Sequence, residues 1–241
     1  MNPVVKLFRR LPFPCPGCGS DEAPPGGRAF CPECRKTLRL FPENMTVCPG
    51  CGGPLDSALA VCPQCLIEPE RRWRSAAAAF PYCGFGRQLV RRFKFADRPE
   101  LAGPLGVLMA DAARLRHLTA DVLVPVPLHW RRLWFRGYNQ AALLAEIAGG
   151  ELGLPVVSAL RRAGHRPKQA MLGRRERHVL RGLFGCSRPE SVRGRRVMLV
   201  DDVFTTGATL SAAAEALLEA GAREVTVLTA ARTPAYSALD G

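Results

Sequence analysis

From residue 121 onward, apolar positions fall into two alternating kinds of run. Short blocks with little polar interruption, Asp121–Pro127 (DVLVPVP), Arg195–Val200 and Glu224–Ala230 (EVTVLTA), have the length and β-branched content of buried strands. Asn139–Leu152 and Ala208–Ala220 instead repeat apolar residues at helical spacing. Leu210, Ala214, Leu217 and Leu218 share one face of the second helix, and Gly221 is placed to cap it. Upstream, Gly86–Phe95 sets Leu89, Val90, Phe93 and Phe95 among Arg87, Arg91, Arg92 and Lys94, which predicts a basic amphipathic helix; Leu101–Leu118 predicts another. Strands apolar on both faces, alternating with helices, predict an α/β fold with a central parallel sheet covered on both sides.

Before residue 70 this periodicity fades and Pro and Gly become dense. Four Cys-x-x-Cys pairs stand here: Cys15/Cys18, Cys31/Cys34, Cys48/Cys51 and Cys62/Cys65. They read as two copies of one unit, each opening on Cys-Pro-Gly-Cys-Gly and closing on Cys-Pro-x-Cys. Such small units lack an adequate core, so bound metal must supply their folding energy. Spacing predicts two structural zinc sites, Cys15/18 with Cys31/34 and Cys48/51 with Cys62/65. An interleaved pairing stays open, and iron–sulfur binding is the weaker alternative. Glu68–Arg74 reads as a linker, which divides the chain into residues 1–70, a small double zinc ribbon, and residues 71–241, the α/β domain. Cys83 and Cys186 read as small buried hydrophobes.

Charge adds a direction to this picture. The 241 residues carry a formal net charge of +13. Residues 1–75 hold 10 Lys/Arg against 7 Asp/Glu, whereas residues 76–241 hold 24 against 14, so the basic surface belongs to the second part. That implies phosphate-rich partners: polyphosphate ligands, nucleic acid, or both. No apolar run reaches membrane-spanning length, and Met1–Pro14 lacks the apolar stretch of a secretory signal. A soluble cytoplasmic protein is the expectation.

The candidate chemistry lies in Val197-Met-Leu-Val-Asp-Asp-Val-Phe-Thr-Thr-Gly-Ala-Thr209. An apolar strand delivers Asp201 and Asp202 to its carboxyl end, where open α/β sheets bind ligands. Adjacent strand residues face opposite ways, so the two carboxylates suit a vicinal diol. Thr205, Thr206, Gly207, Ala208 and Thr209 then turn into a helix. Backbone N–H groups, hydroxyls and the positive helix end suit a dianionic phosphate, and Gly207 permits close approach. A nucleotide triphosphatase is excluded, because no Gly-Lys dipeptide occurs in the chain. Val124-Pro-Val-Pro-Leu128 ends another strand and leads through Arg131, Arg132 and Arg136 to Gly137, a basic loop suited to a leaving diphosphate.

These residues carry a resemblance. The segment 197–209 resembles the 5-phosphoribosyl-1-pyrophosphate (PRPP) motif of type I phosphoribosyltransferases. The whole chain resembles the ComF/GntX family, in its cysteine pairs, Phe93-Lys94-Phe95, Val124–Pro127, Arg136-Gly-Tyr-Asn-Gln140, and Gln169 with Leu172 and Arg177. The resemblance implies a double zinc ribbon joined to a type I phosphoribosyltransferase-like domain, linked to competence and to the uptake or use of external DNA. It implies that Asp201 and Asp202 serve catalysis and hold the ribose diol. Residues 205–209 would hold the 5′-phosphate, Arg136 and Gly137 the diphosphate, and magnesium would accompany PRPP. The family's usual Asn after Arg177 is His178 here, and its usual Thr before Gln169 is replaced within His165-Arg-Pro-Lys168.

Two functions compete. One is a transferase that moves or releases phosphoribose. The other is a non-catalytic, single-stranded-DNA-binding competence factor that keeps PRPP as a regulatory ligand. Arg161–Arg181 holds eight Lys/Arg and one acid, enough for either polyphosphate or a nucleic-acid backbone. Trp130, Trp134, Phe135 and Tyr138 are the candidates for base stacking. The four histidines show no metal-ligand spacing.

Overall fold

The computed structural model describes residues 14–21, 29–55, 58–67, 71–95, 98–162 and 182–234. Four parallel strands form the central sheet: β1 (Ala76–Pro81), β2 (Val122–Pro125), β5 (Arg196–Phe204) and β6 (Glu224–Arg232), in the order β1-β6-β5-β2. A short parallel bridge from Leu123 to Val156 prolongs it past β2. A separate antiparallel pair joins β3 (Leu160–Arg162) to β4 (Phe184–Cys186). Asp121 ties the starts of β2 and β5 together, accepting from the Arg196 amide at 2.8 Å and its guanidinium at 2.6 Å.

Both sheet faces are covered, as continuous apolar strands require. One core holds Leu123, Met198, Val200 and Leu228 against α3 (Gly84–Phe95), α4 (Ala102–Leu115) and α6 (Gln140–Leu152). The other holds Val122, Val197, Leu199 and Val227 against α7 (Ala208–Glu219) and the β3–β4 pair. The two cysteine units divide between these cores. Cys15, Cys31 and Cys34 join the first, whereas Cys48, Cys51, Cys62 and Cys65 join the second. The N-terminal segment thus straddles β1, the edge strand. The Phe41 amide donates to Ala79 O at 3.0 Å, and the Ala76 amide to Pro49 O at 2.9 Å.

Some expectations change. Asp201 and Asp202 do not end their strand: β5 runs on to Phe204, with Asp201 opposite Thr229 of β6. The segment after β2, expected as a loop, contains a short helix, α5 (Trp130–Arg136). The Ala76–Pro81 strand was not expected, because an alanine run has no strand signature. The end of the expected linker is structured, with Trp73 only 8% exposed and Arg74 paired to Glu224 at 2.9 Å. Cys83 and Cys186 are half-buried rather than buried. Among the described residues no helix is long and apolar enough to cross a membrane.

Candidate functional site

Each cysteine unit folds the same way. A Cys-x-x-Cys turn faces a second pair at the start of a short helix, α1 (Pro32–Thr37) in the first unit and α2 (Pro63–Ile67) in the second. In both, the amide of the third cysteine donates to the sulfur of the first: Cys31 to Cys15 at 3.3 Å, Cys62 to Cys48 at 3.4 Å. The thiols gather as Cys15, Cys18, Cys31, Cys34 and as Cys48, Cys51, Cys62, Cys65, with all four sulfurs of a group within 4.8 Å of one another. Four sulfurs bound tetrahedrally to one zinc stand roughly 3.8 Å apart, so the sequential sets fit the ion and could hold it. In the second group, hydrogen bonding to Cys48 pulls the Cys51 thiol down to about 4; burial opposes this, and the charge of Arg232 reinforces it.

The carboxyl ends of β5 and β2 lie side by side, with the Val126 amide donating to Val200 O at 2.9 Å. This brings the loop after β2 next to Asp201 and Asp202. Asp202 is 9% exposed and pairs with Lys94 of α3, Nζ to Oδ1 at 2.9 Å. Asp201 accepts from the Asp202 amide at 2.8 Å. It keeps an opening to solvent, yet protein surrounds it densely. That burial, and then the Asp202 charge, push its carboxyl up to about 7.

After Phe204 the chain turns into α7. Gly207 has φ +84°, the left-handed region, and a Cβ there would meet Phe204 Cζ at 3.0 Å and Trp73 Cη2 at 3.2 Å. Gly207 is thus required both by its dihedral angle and by the rings beneath it. Thr205, Thr206 and Thr209 are exposed at the N-terminal end of α7.

Arg136 ends α5, lies over the Phe95 ring at 4.6 Å and donates to Gln140 Oε1 at 3.3 Å. Gly137 turns the chain at φ +74°. Tyr138 donates to Phe93 O at 2.7 Å. Asn139 caps α6, accepting from the Ala141 amide at 3.1 Å, and donates to Val126 O at 3.0 Å, pinning the loop after β2. Arg136 therefore sits against the residue that follows Lys94. Gln169, Leu172, Arg177, His165, Lys168 and His178 lie outside the described residues, as does most of the basic stretch 161–181.

Residues 140–240 match the phosphoribosyl transferase domain family. DNA utilization protein YhgH of Escherichia coli K12 is 33% identical over 215 residues, covering 86% of this chain and 92% of that one. Competence protein F of Haemophilus influenzae is 33% identical over 211 residues, covering 84% and 90%. The chain belongs to the ComF/GntX family. Competence protein ComFC of Bacillus subtilis is 32% identical, covering 79% of this ComF/GntX chain and 78% of its own.

Two residues of this ComF/GntX protein received no role from the sequence. Lys94 carried a signal, as the cation within Phe93-Lys94-Phe95. Arg232, 2% exposed at the end of β6, carried none, because a lone arginine closing a strand looks like any other.

Proposed function

We propose that this protein binds PRPP at the carboxyl ends of β2 and β5 and transfers or releases its phosphoribosyl group. One arrangement carries the reading: within a phosphoribosyl transferase domain, paired aspartates run directly into an open, glycine-hinged cradle at the start of α7. Asp201 and Asp202 accept hydrogen bonds from the ribose hydroxyls. The amides and hydroxyls of Thr205 to Thr209 donate to the 5′-phosphate, and Arg136 and Gly137 contribute to the diphosphate side. Bond breaking leaves positive charge on the ribosyl centre, which the adjacent carboxylates stabilise. Magnesium bound with PRPP supplies charge neutralisation on the departing diphosphate. In the two tetracysteine groups, zinc supplies folding energy to the N-terminal segment.

A second activity has its own support. Trp134 is 90% and Phe135 86% exposed on α5, beside the site and within a basic half of the chain. Exposed aromatics among cations suit single-stranded DNA, with bases stacked and phosphates neutralised. Relatives carry the names competence protein and DNA utilization protein, and we read this chain as serving the same use of DNA in the cytoplasm.

Two measurements test the reading. Incubation with Mg²⁺, PRPP and a panel of nucleobases should release pyrophosphate, and Asp201→Asn/Asp202→Asn should abolish PRPP binding by calorimetry. Equal affinity in the double variant would remove the central claim. Filter binding of single-stranded DNA at two salt concentrations should show steep salt dependence. No binding at low salt would leave a small-molecule transferase alone.

A further inference from the structure

Beneath the Thr205–Thr209 cradle lies a column of buried side chains that ends on the second tetracysteine group. Trp73 donates from Nε1 to Gly50 O at 2.8 Å, inside the Cys48–Cys51 turn. Its ring meets Phe204 edge-on at 5.8 Å, and both rings press under Gly207. Arg232 lies over the Phe204 ring at 4.8 Å. One Nη of Arg232 donates to Gln64, between Cys62 and Cys65, at 2.8 Å. The other donates to Thr205 O at 3.4 Å and to Thr233 O. A single guanidinium therefore bridges the cysteine turn and the first residue of the cradle.

Charge explains why it sits there. Arg232 Nε is buried without a hydrogen-bond partner, and so are both Nη atoms of Arg71. Arg71 lies 5.6 Å from the Trp73 ring and 5.9 Å from that of Phe204, and its Nη1 abuts Gly50. Two guanidiniums with buried, idle donor atoms are unfavourable unless an anion faces them. Four thiolates on one divalent ion carry a net charge of about −2, which matches the two guanidiniums. Four neutral thiols would leave both uncompensated. The first cysteine group stands apart from this column: it packs on α3, where Arg92 donates to Gly17 O at 3.0 Å.

We propose that Arg232 is a positioning residue for the phosphate cradle. Metal in the second tetracysteine site holds its guanidinium, and that guanidinium, with Phe204 and Trp73, holds Thr205–Gly207 in binding shape. Phosphate-ester binding is thereby coupled to occupancy of the second site and not of the first. The ligand arm of this coupling rests on the PRPP reading; the structural arm does not.

The test uses the full chain and three readouts: zinc content, amide hydrogen exchange over residues 204–209, and affinity for ribose 5-phosphate and PRPP. Arg232→Met should keep its zinc, exchange at 204–209 at least tenfold faster, and bind both ligands at least tenfold more weakly. Arg232→Lys, which keeps the charge without the fork, should fall between. Gln64→Leu, a milder change on the cysteine side, should speed exchange in the same segment and covers the case in which Arg232→Met does not fold. Cys62→Ser should reproduce the exchange effect, and Cys31→Ser should not. Wild-type exchange in both Arg232→Met and Gln64→Leu, or equal effects of Cys31→Ser and Cys62→Ser, overturns the coupling. Failure of the wild-type chain to bind either ligand, with the exchange results as expected, sinks the PRPP reading and leaves the coupling standing.

Discussion

Lys94 and Asp202 form an ion pair at 2.9 Å with both side chains largely buried, 20% and 13% exposed. The pair joins α3 to β5 and places a cation beside two adjacent carboxylates. Without it, Asp201 and Asp202 would repel each other in a poorly hydrated site. Lys94→Met should therefore weaken PRPP binding about tenfold or more, and Lys94→Arg should retain part of it. Calorimetry on the two variants checks this; unchanged affinity in Lys94→Met would show that the pair is structural only.

Asp201 makes stability and binding respond oppositely to pH. Its carboxyl is raised from 3.8 to about 7, first by burial. The fold thus favours the protonated form, and the stability this contributes is complete below about pH 4 and lost as pH rises through about 7. Between pH 6 and pH 8 the wild-type chain should lose stability relative to Asp201→Asn, and should gain PRPP affinity as the diol acceptor becomes charged. Parallel melting curves of the two proteins, with titrations at both pH values, read the two trends. A constant difference in melting temperature between them would contradict the assignment.

Gly207→Ala should be costly for its size. A left-handed non-glycine residue costs roughly 1–2 kcal/mol. The added methyl also meets Phe204 at 3.0 Å and Trp73 at 3.2 Å, neither of which can retreat easily from a packed column. At about 2–4 °C per kcal/mol for a chain of this size, the melting temperature should fall by several degrees. Ribose 5-phosphate binding should fall with it. Unfolding curves identical to wild type would show that the turn relaxes.

Elemental analysis of protein purified without chelator should return about two zinc ions per chain. Removal of both by a strong chelator should lower the melting temperature, since four buried cysteines of the second group lie in the same core as Val197 and Leu199. One zinc or fewer would mean that one of the two sets serves another purpose.

Much of this was legible from residue order. The strands expected at Asp121–Pro127, Arg195–Val200 and Glu224–Ala230 announce themselves because a sheet covered on both faces needs uninterrupted apolar residues, and α6 and α7 by helical spacing; the run of β5 on to Phe204 was not announced. The aspartate pair and the cradle are local, so their contiguity survives in the sequence. What escaped depends on partners distant along the chain. Ala76–Pro81 becomes a strand because β6 and the cysteine turns flank it; the turn packs so closely that a Cβ on Gly52 would meet the Ala76–Ala78 backbone at 3.0 Å. Trp73 looked like linker because its partners, Gly50 and Phe204, lie on opposite sides of it in sequence. Arg232 touches Gln64, 168 residues away, a relationship that no local pattern encodes.

The straddled edge strand has one more consequence. Among the described residues β1 is the outermost strand on its side of the sheet, and its alanines offer no bulk or charge to repel another strand. Phe41 and Pro49 occupy backbone groups there that would otherwise be open to a second chain. The N-terminal segment therefore shields a surface prone to self-association. A chain stripped of metal, or cut just before Ser75, would present a flat, neutral edge to its copies, and its characteristic failure would be strand-to-strand aggregation rather than simple loss of ligand.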